Sequence, residues 1–372
     1  MKEIYLDNAA TTSVYKKVIF EMNKYNSKIY ANPNSIHILG EKAAKALNES
    51  RKNIASEINA KPHEIIFTSG TTESNNLAIL GLSRKNKNKI LVSSIEHSSI
   101  FEMCAFLEKK GFNIVQIPVN SEGFVDIDFI EKNTDKSTLL VSVIHANNEI
   151  GVIQDLNLIG KICRSKNILF HTDCAQSFGK ERIDVQAMKI DMLSAGAHKI
   201  HGPKGIGFLY IREGIKIEPI IYGGGQERGL RGGTENIPSI VGFAKSLELI
   251  KKVNKTDIKK LRDYSFLQIE KIGGKINGNK EKRLYNNINV ILPGIDSEYL
   301  VHLLSSKGIY ISSGSACDTK KQKESKVLRE IGLKEKDIKS SIRISLSEYT
   351  TKKDIDYVIK EIEKALTSAL LR

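Results

Sequence analysis

SAGAHKIHGPKG, Ser194 to Gly205, decides how this chain reads. The apolar run IDMLSAG, 190–196, stops at Ala197, His198 and Lys199, and the glycines and proline of HGPKG follow at once. A strand therefore gives way to a loop at Lys199. Strand ends are where α/β proteins hold their chemistry, so fold class and the place of this amine are a single question.

Outward from it, short apolar runs alternate with amphipathic segments. EIIFTSG (64–70), KILVSSIEH (89–97), FNIVQIPV (112–119), LLVSVIHANN (139–148), NILFHTDCAQ (167–176) and GIGFLYIR (205–212) read as strands. Thr72–Leu82 and Ser98–Lys110 read as helices between them. This succession predicts an α/β fold with a mostly parallel sheet. From about Lys251 the character changes. A charged helix leads to the strand NNINVILP, a helix over Ser297–Ser306 and the strand SIRISLSE. A last helix starts near Thr351, whose hydroxyl and Asp354 three residues on form a capping-box signal. Residues 13–254 are expected to form a large domain, and 1–12 with 255–372 a smaller α+β domain.

The 372 residues, 40% hydrophobic and 27% charged, have the composition of a soluble globular protein. No apolar run approaches the ~20 residues of a membrane span, and MKEIYLDNAATT lacks the apolar core of a secretory signal. A cytoplasmic location is expected. The net charge of +14 comes from lysines scattered over predicted helices and turns, with no aromatic platform beside them. That pattern suits a solvated surface open to an acidic partner rather than direct nucleic-acid binding. The four cysteines, Cys104, Cys163, Cys174 and Cys317, show neither CxxC nor other metal-type spacing, so free thiols and no metal are expected. Cys104 and Cys163 fall in helical patterns and read as small core residues.

A lysine amine, with an ordinary pKa of roughly 10.4, becomes a useful nucleophile when desolvated or when a cofactor traps it as an imine. Pyridoxal phosphate is such a trap. It needs a lysine, an acid against its ring nitrogen and donors around its phosphate. Gly70, Thr71 and Thr72 sit at a strand-to-helix junction, where free N–H groups favour an anion, although a plain N-cap accounts for the same residues. Asp173 ends an apolar strand with Gln176 three residues on, and its charge calls for a partner, either a pyridinium N–H or an ordinary salt bridge. His97 ends another strand, as a structural residue or as a ring that stacks and moves protons. Asn147 and Asn148 add amides at the same edge.

LDNAATT, NPNSIH, FTSGTTESNN, EHSS, NNEIG, TDCAQ, AHKIHGPKG, GGGQERGLRGGT, SSGSAC and SIRISL, spread between Tyr5 and about Ile362, resemble the ordered motifs of cysteine desulfurases. These are pyridoxal-phosphate enzymes of the class V aminotransferase fold. The resemblance implies that Lys199 binds the cofactor as a Schiff base, Asp173 pairs with the ring nitrogen, Gln176 bonds the ring oxygen and His97 stacks on the ring and serves in proton transfer. It implies Thr71, Thr72 and His198 for the phosphate, with Thr234 reaching it from the second subunit of a homodimer. Asn148, at the cofactor, and Arg343 would hold the substrate carboxylate, which a guanidinium binds bidentately. Cys317, expected on a mobile loop, would take sulfur from L-cysteine as a persulfide, leave L-alanine and pass the sulfur to an acceptor protein for iron-sulfur cluster assembly or tRNA thiolation. The neighbouring readings are a selenocysteine lyase and another class V aminotransferase, the latter with no use for Cys317. A basic nucleic-acid or scaffold-binding protein that merely keeps the fold is a reading of a different class, which absence of bound cofactor would favour.

Two departures stand out. The family commonly has a serine on the phosphate where this chain has Gly196, so weaker cofactor retention is expected. After Cys317 the family continues with small residues and Glu-Pro, whereas here Asp318 opposes a thiolate and Lys320, Lys321 and Lys323 favour it.

Overall fold

The computed structural model describes residues 3–82, 87–313 and 325–370. Cys317, the loop expected around it, Asp318 and the lysines at 320, 321 and 323 lie outside the described residues.

The chain opens with a two-residue strand, β1 (Ile4–Tyr5), followed by the helices α1 (Lys16–Ser27) and α2 (Ile38–Glu57). The main sheet then forms from β2 (Ile65–Thr68), β3 (Lys89–Ser93), β4 (Asn113–Ile117), β5 (Thr138–Ser142), β6 (Leu169–Asp173), β7 (Met192–Gly196) and β8 (Gly207–Ile211). Its spatial order is β2-β8-β7-β6-β5-β3-β4. All neighbours are parallel except at β8, which runs against both β2 and β7. Strands covered on both faces carry near-continuous apolar runs, and β5, β7 and β8 are buried at every position. At the edge, β4 exposes Asn113 and Gln116. Among the helices, α3 (Thr71–Leu80) follows β2 and α4 (Ser98–Glu108) follows β3. Because β3, β5, β6 and β7 are parallel, their C-terminal ends share one rim, which brings His97, Asn148, Asp173 and Lys199 to the same side.

The later strands are β9 (Lys275–Ile276), β10 (Asn287–Ile291), β11 (Ile309–Tyr310), β12 (Ser312–Ser313) and β13 (Ser341–Ser345). Four of them form an antiparallel sheet in the order β12-β13-β10-β9, while β11 takes β1 as a parallel partner. A core of Ile288, Val290, Leu300, Ile342 and Ile344 sits beneath this sheet, separate from the one around Phe170, Phe178, Phe208 and Phe243. The N-terminal Ile4 and Leu6 belong to the former. The capping box forms as expected: Thr351 Oγ1 donates to Asp354 Oδ2 at 2.7 Å, ahead of the helix Lys352–Leu370. No described helix is long and apolar enough to cross a membrane.

Candidate active site

Lys199 ends a single helical turn, Ala197–Lys199, that continues directly from β7. The turn closes with the Ile200 N–H on the Ala197 carbonyl at 3.0 Å. A lysine that is 8% exposed must find acceptors for its ammonium. Nζ donates to the carbonyls of Ala9 at 2.7 Å and Ala10 at 2.6 Å. These belong to an N-terminal strap that grips the same loop further on: Thr12 donates to the His198 carbonyl through N–H at 3.0 Å and Oγ1 at 2.9 Å. His198 Nδ1 is 3.2 Å from Thr11 Oγ1, and burial, with the charge of Lys199 next, pushes its pKa down to about 4. The ring is therefore neutral near pH 7 and available for hydrogen bonding.

A cavity of about 570 Å³ opens at this rim. Of the residues predicted from sequence, Lys199, His198, Asp173 and Gln176 line it, together with His97, Asn148, Thr71 and Thr72. Asp173 is 2% exposed, and its carboxylate accepts from the Ala175 N–H and from Asn75 Nδ2, both at 2.8 Å. Gln176 Nε2 donates to the Ala9 carbonyl at 2.8 Å. His97 caps α4, with Nδ1 accepting from the Ser99 N–H at 3.1 Å. That acceptor role leaves Nε2 as the proton-bearing nitrogen of the neutral ring.

Thr71 opens α3 after Gly70, so the first N–H groups of the helix have no partner within it. Its hydroxyl is buried and has no partner among the described residues. Gly207 allows this turn to sit close on the sheet, since a Cβ there would lie 2.7 Å from the Gly70 Cα. Gly196 is tighter than its sequence suggests: a Cβ would come within 2.8 Å of Thr71 Oγ1. The space of the missing serine is occupied by the threonine hydroxyl.

Arg343, in the middle of β13 and 1% exposed, does not line the cavity but reaches its edge, donating from Nη1 to the Asn148 carbonyl at 3.0 Å. Nη2 binds Asp7 at 2.8 Å, and Nε has no partner among the described residues. Thr234 is not brought into the cavity of its own chain. It lines a separate recess of about 260 Å³ that shares Ser69, Gly205 and Ile206 with it.

Sequence reasoning assigned no role to the strap carbonyls of Ala9 and Ala10, to Asp7, or to Asn75 and Glu96 beside Asp173. The signal for the strap was the run of small residues in LDNAATT, where backbone rather than side chain is offered. The three described cysteines are all buried. Burial, and then nearby carboxylates, push the thiols of Cys104 and Cys163 up to about 12, and burial raises that of Cys174 as well.

The chain is similar to cysteine desulfurase IscS of Dictyoglomus turgidum, 43% identical over 98% of this chain and 95% of that one. Among solved structures, a NifS-like protein superposes with a TM-score of 0.93 at 37% identity, covering 99% of this chain and all of the other. SspA in complex with cysteine gives 0.85 at 38%, covering 94% of this chain and all of that one. The family described as Aminotransferase class-V matches residues 4–358, and the chain belongs to it.

Proposed function

We propose that this protein is a pyridoxal-phosphate-dependent cysteine desulfurase that converts L-cysteine to L-alanine and keeps the sulfur as a persulfide on Cys317. It acts as a cytoplasmic homodimer and hands the sulfur to an acceptor protein for iron-sulfur assembly or tRNA thiolation. Residues 13–254 form its cofactor-binding domain, and 1–12 with 255–372 the domain that carries Cys317. The observation that carries the reading is the juxtaposition, in one cavity, of the Lys199 amine, the Asp173 carboxylate and the unpartnered Thr71 hydroxyl at a helix N-terminus. These are the amine, acid and anion donor that pyridoxal phosphate requires, so the residues fit the group.

When bound, the cofactor supplies an aldehyde that captures amines and a cationic ring that takes up an electron pair. Lys199 Nζ would hold that aldehyde, and as a free amine it would accept the α-proton of the substrate. Asp173 would meet the ring N–H, Gln176 would reach the ring oxygen, and His97 would stack on the ring with a proton available on Nε2. Thr71, Thr72 and His198 hold the phosphate, and Thr234, outside the cavity of its own chain, serves that of the second copy. Arg343 offers its unpartnered Nε, with Asn148 beside it, to the substrate carboxylate. Cys317 as thiolate attacks the substrate sulfur. The S–S bond forms as the Cβ–S bond breaks, its electron pair stays on the substrate carbon, and protonation there together with return of a proton to Cα from Lys199 gives alanine. Overall, L-cysteine and a thiol become L-alanine and a persulfide.

Incubation with L-cysteine alone should release about one alanine per Cys317 and stop at the persulfide stage; a reducing thiol should restore turnover with sulfide release. Alanine formed without protein-bound persulfide would refute the reading, and faster turnover of selenocysteine than of cysteine would favour a lyase.

Thr71 takes over the donor role that a serine at 196 would fill. Thr71→Ala should weaken cofactor binding by about 10- to 100-fold, the worth of one hydrogen bond to a charged group. Gly196→Ser alone should also weaken it, because the β-branched Thr71 side chain is stiff and has to move. The double variant should recover most of the loss. Equilibrium dialysis checks this, and tighter binding by Gly196→Ser alone would overturn it.

A further inference from the structure

Glu96 directly precedes His97 and is 3% exposed. Its Oε1 accepts from the Ile144 N–H at 2.6 Å, while Oε2 is buried and has no partner among the described residues. Asn75, fully buried on α3, shows the complementary defect. Its Nδ2 donates to Asp173 Oδ2 at 2.8 Å and to Ser99 Oγ at 3.0 Å, and its Oδ1 is orphaned. The amide cannot be turned over to cure this, because a carboxylate is on its nitrogen side. Ser99 Oγ also meets His97 Nδ1 at 2.9 Å, so His97, Ser99, Asn75 and Asp173 form one hydrogen-bonded group behind the cavity, with Glu96 next to His97 in the chain. Two orphaned oxygens beside a carboxylate are costly in a dry interior, and one proton shared between them would remove the cost for both.

We propose that Glu96 is a neutral carboxylic acid whose Oε2–H donates to Asn75 Oδ1, making it a positioning residue that orients Asn75 on Asp173 and leaves Asp173 the anionic member of the pair. This deepens the desulfurase reading and rests on it for the partner of Asp173. The ionisable side chains facing Glu96 are Asp173 and Cys174, at the end of β6, and Cys104 from α4, with His97 next in the chain. Burial, and then the charge of Asp173, raises the Glu96 pKa well above its ordinary value. The thiols facing it are neutral for the same reason of burial.

Infrared difference spectra of the full-length protein labelled with carboxyl-¹³C glutamate test this, with and without added pyridoxal phosphate. A protonated-carboxyl band is expected at pH 7, absent in Glu96→Gln and displaced in Asn75→Ala, which removes the acceptor. Because the folded state holds a proton that the unfolded chain releases above a pH of about 4.3, wild-type stability should fall relative to Glu96→Gln as pH rises. The folded-to-unfolded ratio should drop by up to about tenfold per pH unit until Glu96 ionises in the folded protein. With cofactor added, Glu96→Ala should shift the visible band and Glu96→Gln should restore it. The proposal is overturned if the wild type shows no such band at pH 7, if Asn75→Ala leaves it in place, or if the pH-stability profiles of wild type and Glu96→Gln are parallel. None of these readouts uses substrate, so a failure to make alanine would sink the desulfurase reading and leave them standing.

Discussion

Lys199→Ala is expected to abolish the visible absorbance that pyridoxal phosphate acquires on binding a lysine, and to cost about 10²- to 10⁴-fold in rate through lost proton transfer alone. Two other lysines are close enough to be considered. Lys204 lines the cavity but is exposed, and so has no special reactivity. Lys180 is 4% exposed, and burial, with the charge of Lys199 next, pushes its pKa down to about 7, which makes it a reactive amine in principle. It does not line the cavity, however, whereas Lys199 Nζ is held at the strap by two carbonyls. Lys180→Ala should therefore keep the band and Lys199→Ala should lose it. Borohydride reduction followed by peptide mass spectrometry gives an independent reading, with the cofactor fixed to the peptide carrying Lys199. A retained band, or label on any other lysine, would remove Lys199 from its assigned role.

Cys317→Ser should bind the cofactor with an unchanged spectrum yet lose persulfide and alanine formation on the order of 10³-fold or more, as removal of a nucleophile does. With pKa values pushed up to about 12, Cys104 and Cys163 have a thiolate fraction of only ~10⁻⁴ at pH 8, and Cys174 is raised as well. All three are also buried. None can stand in for Cys317, and serine substitution of any of them should leave persulfide formation intact. A Cys317→Ser protein that still desulfurates at the wild-type rate would refute the assignment.

Much of this was legible before any coordinates. The apolar runs leading to His97, Asn148, Asp173 and Lys199 brought these residues to one rim, because apolar patterning is local and parallel connectivity aligns the strand ends, although β3 stops at Ser93 and β5 at Ser142, short of His97 and Asn148. The capping box at Thr351 and the buried cysteines of α4 and of the helix Leu156–Ser165 followed from equally local patterns. Residues 16–57, by contrast, were not anticipated as α1 and α2, whose apolar positions are set by packing against the helix Ile237–Ile250. The crowding at Gly196 was hidden for a similar reason, since a missing hydroxyl is visible in a sequence but the Thr71 hydroxyl that a side chain there would meet is not.

Residue order alone specified the strand ends, the amine and acid available there and the turn chemistry between them, because each depends on neighbours a few positions away. How those groups are held was settled by the folded chain. Arg343 meets Asp7 across 336 positions, Lys199 meets Ala9 across 190, and Asn75 meets Asp173 across 98. Periodicity tells which face a side chain takes, but only the packing of distant segments tells which carbonyl, carboxylate or amide will be waiting within 3 Å of it.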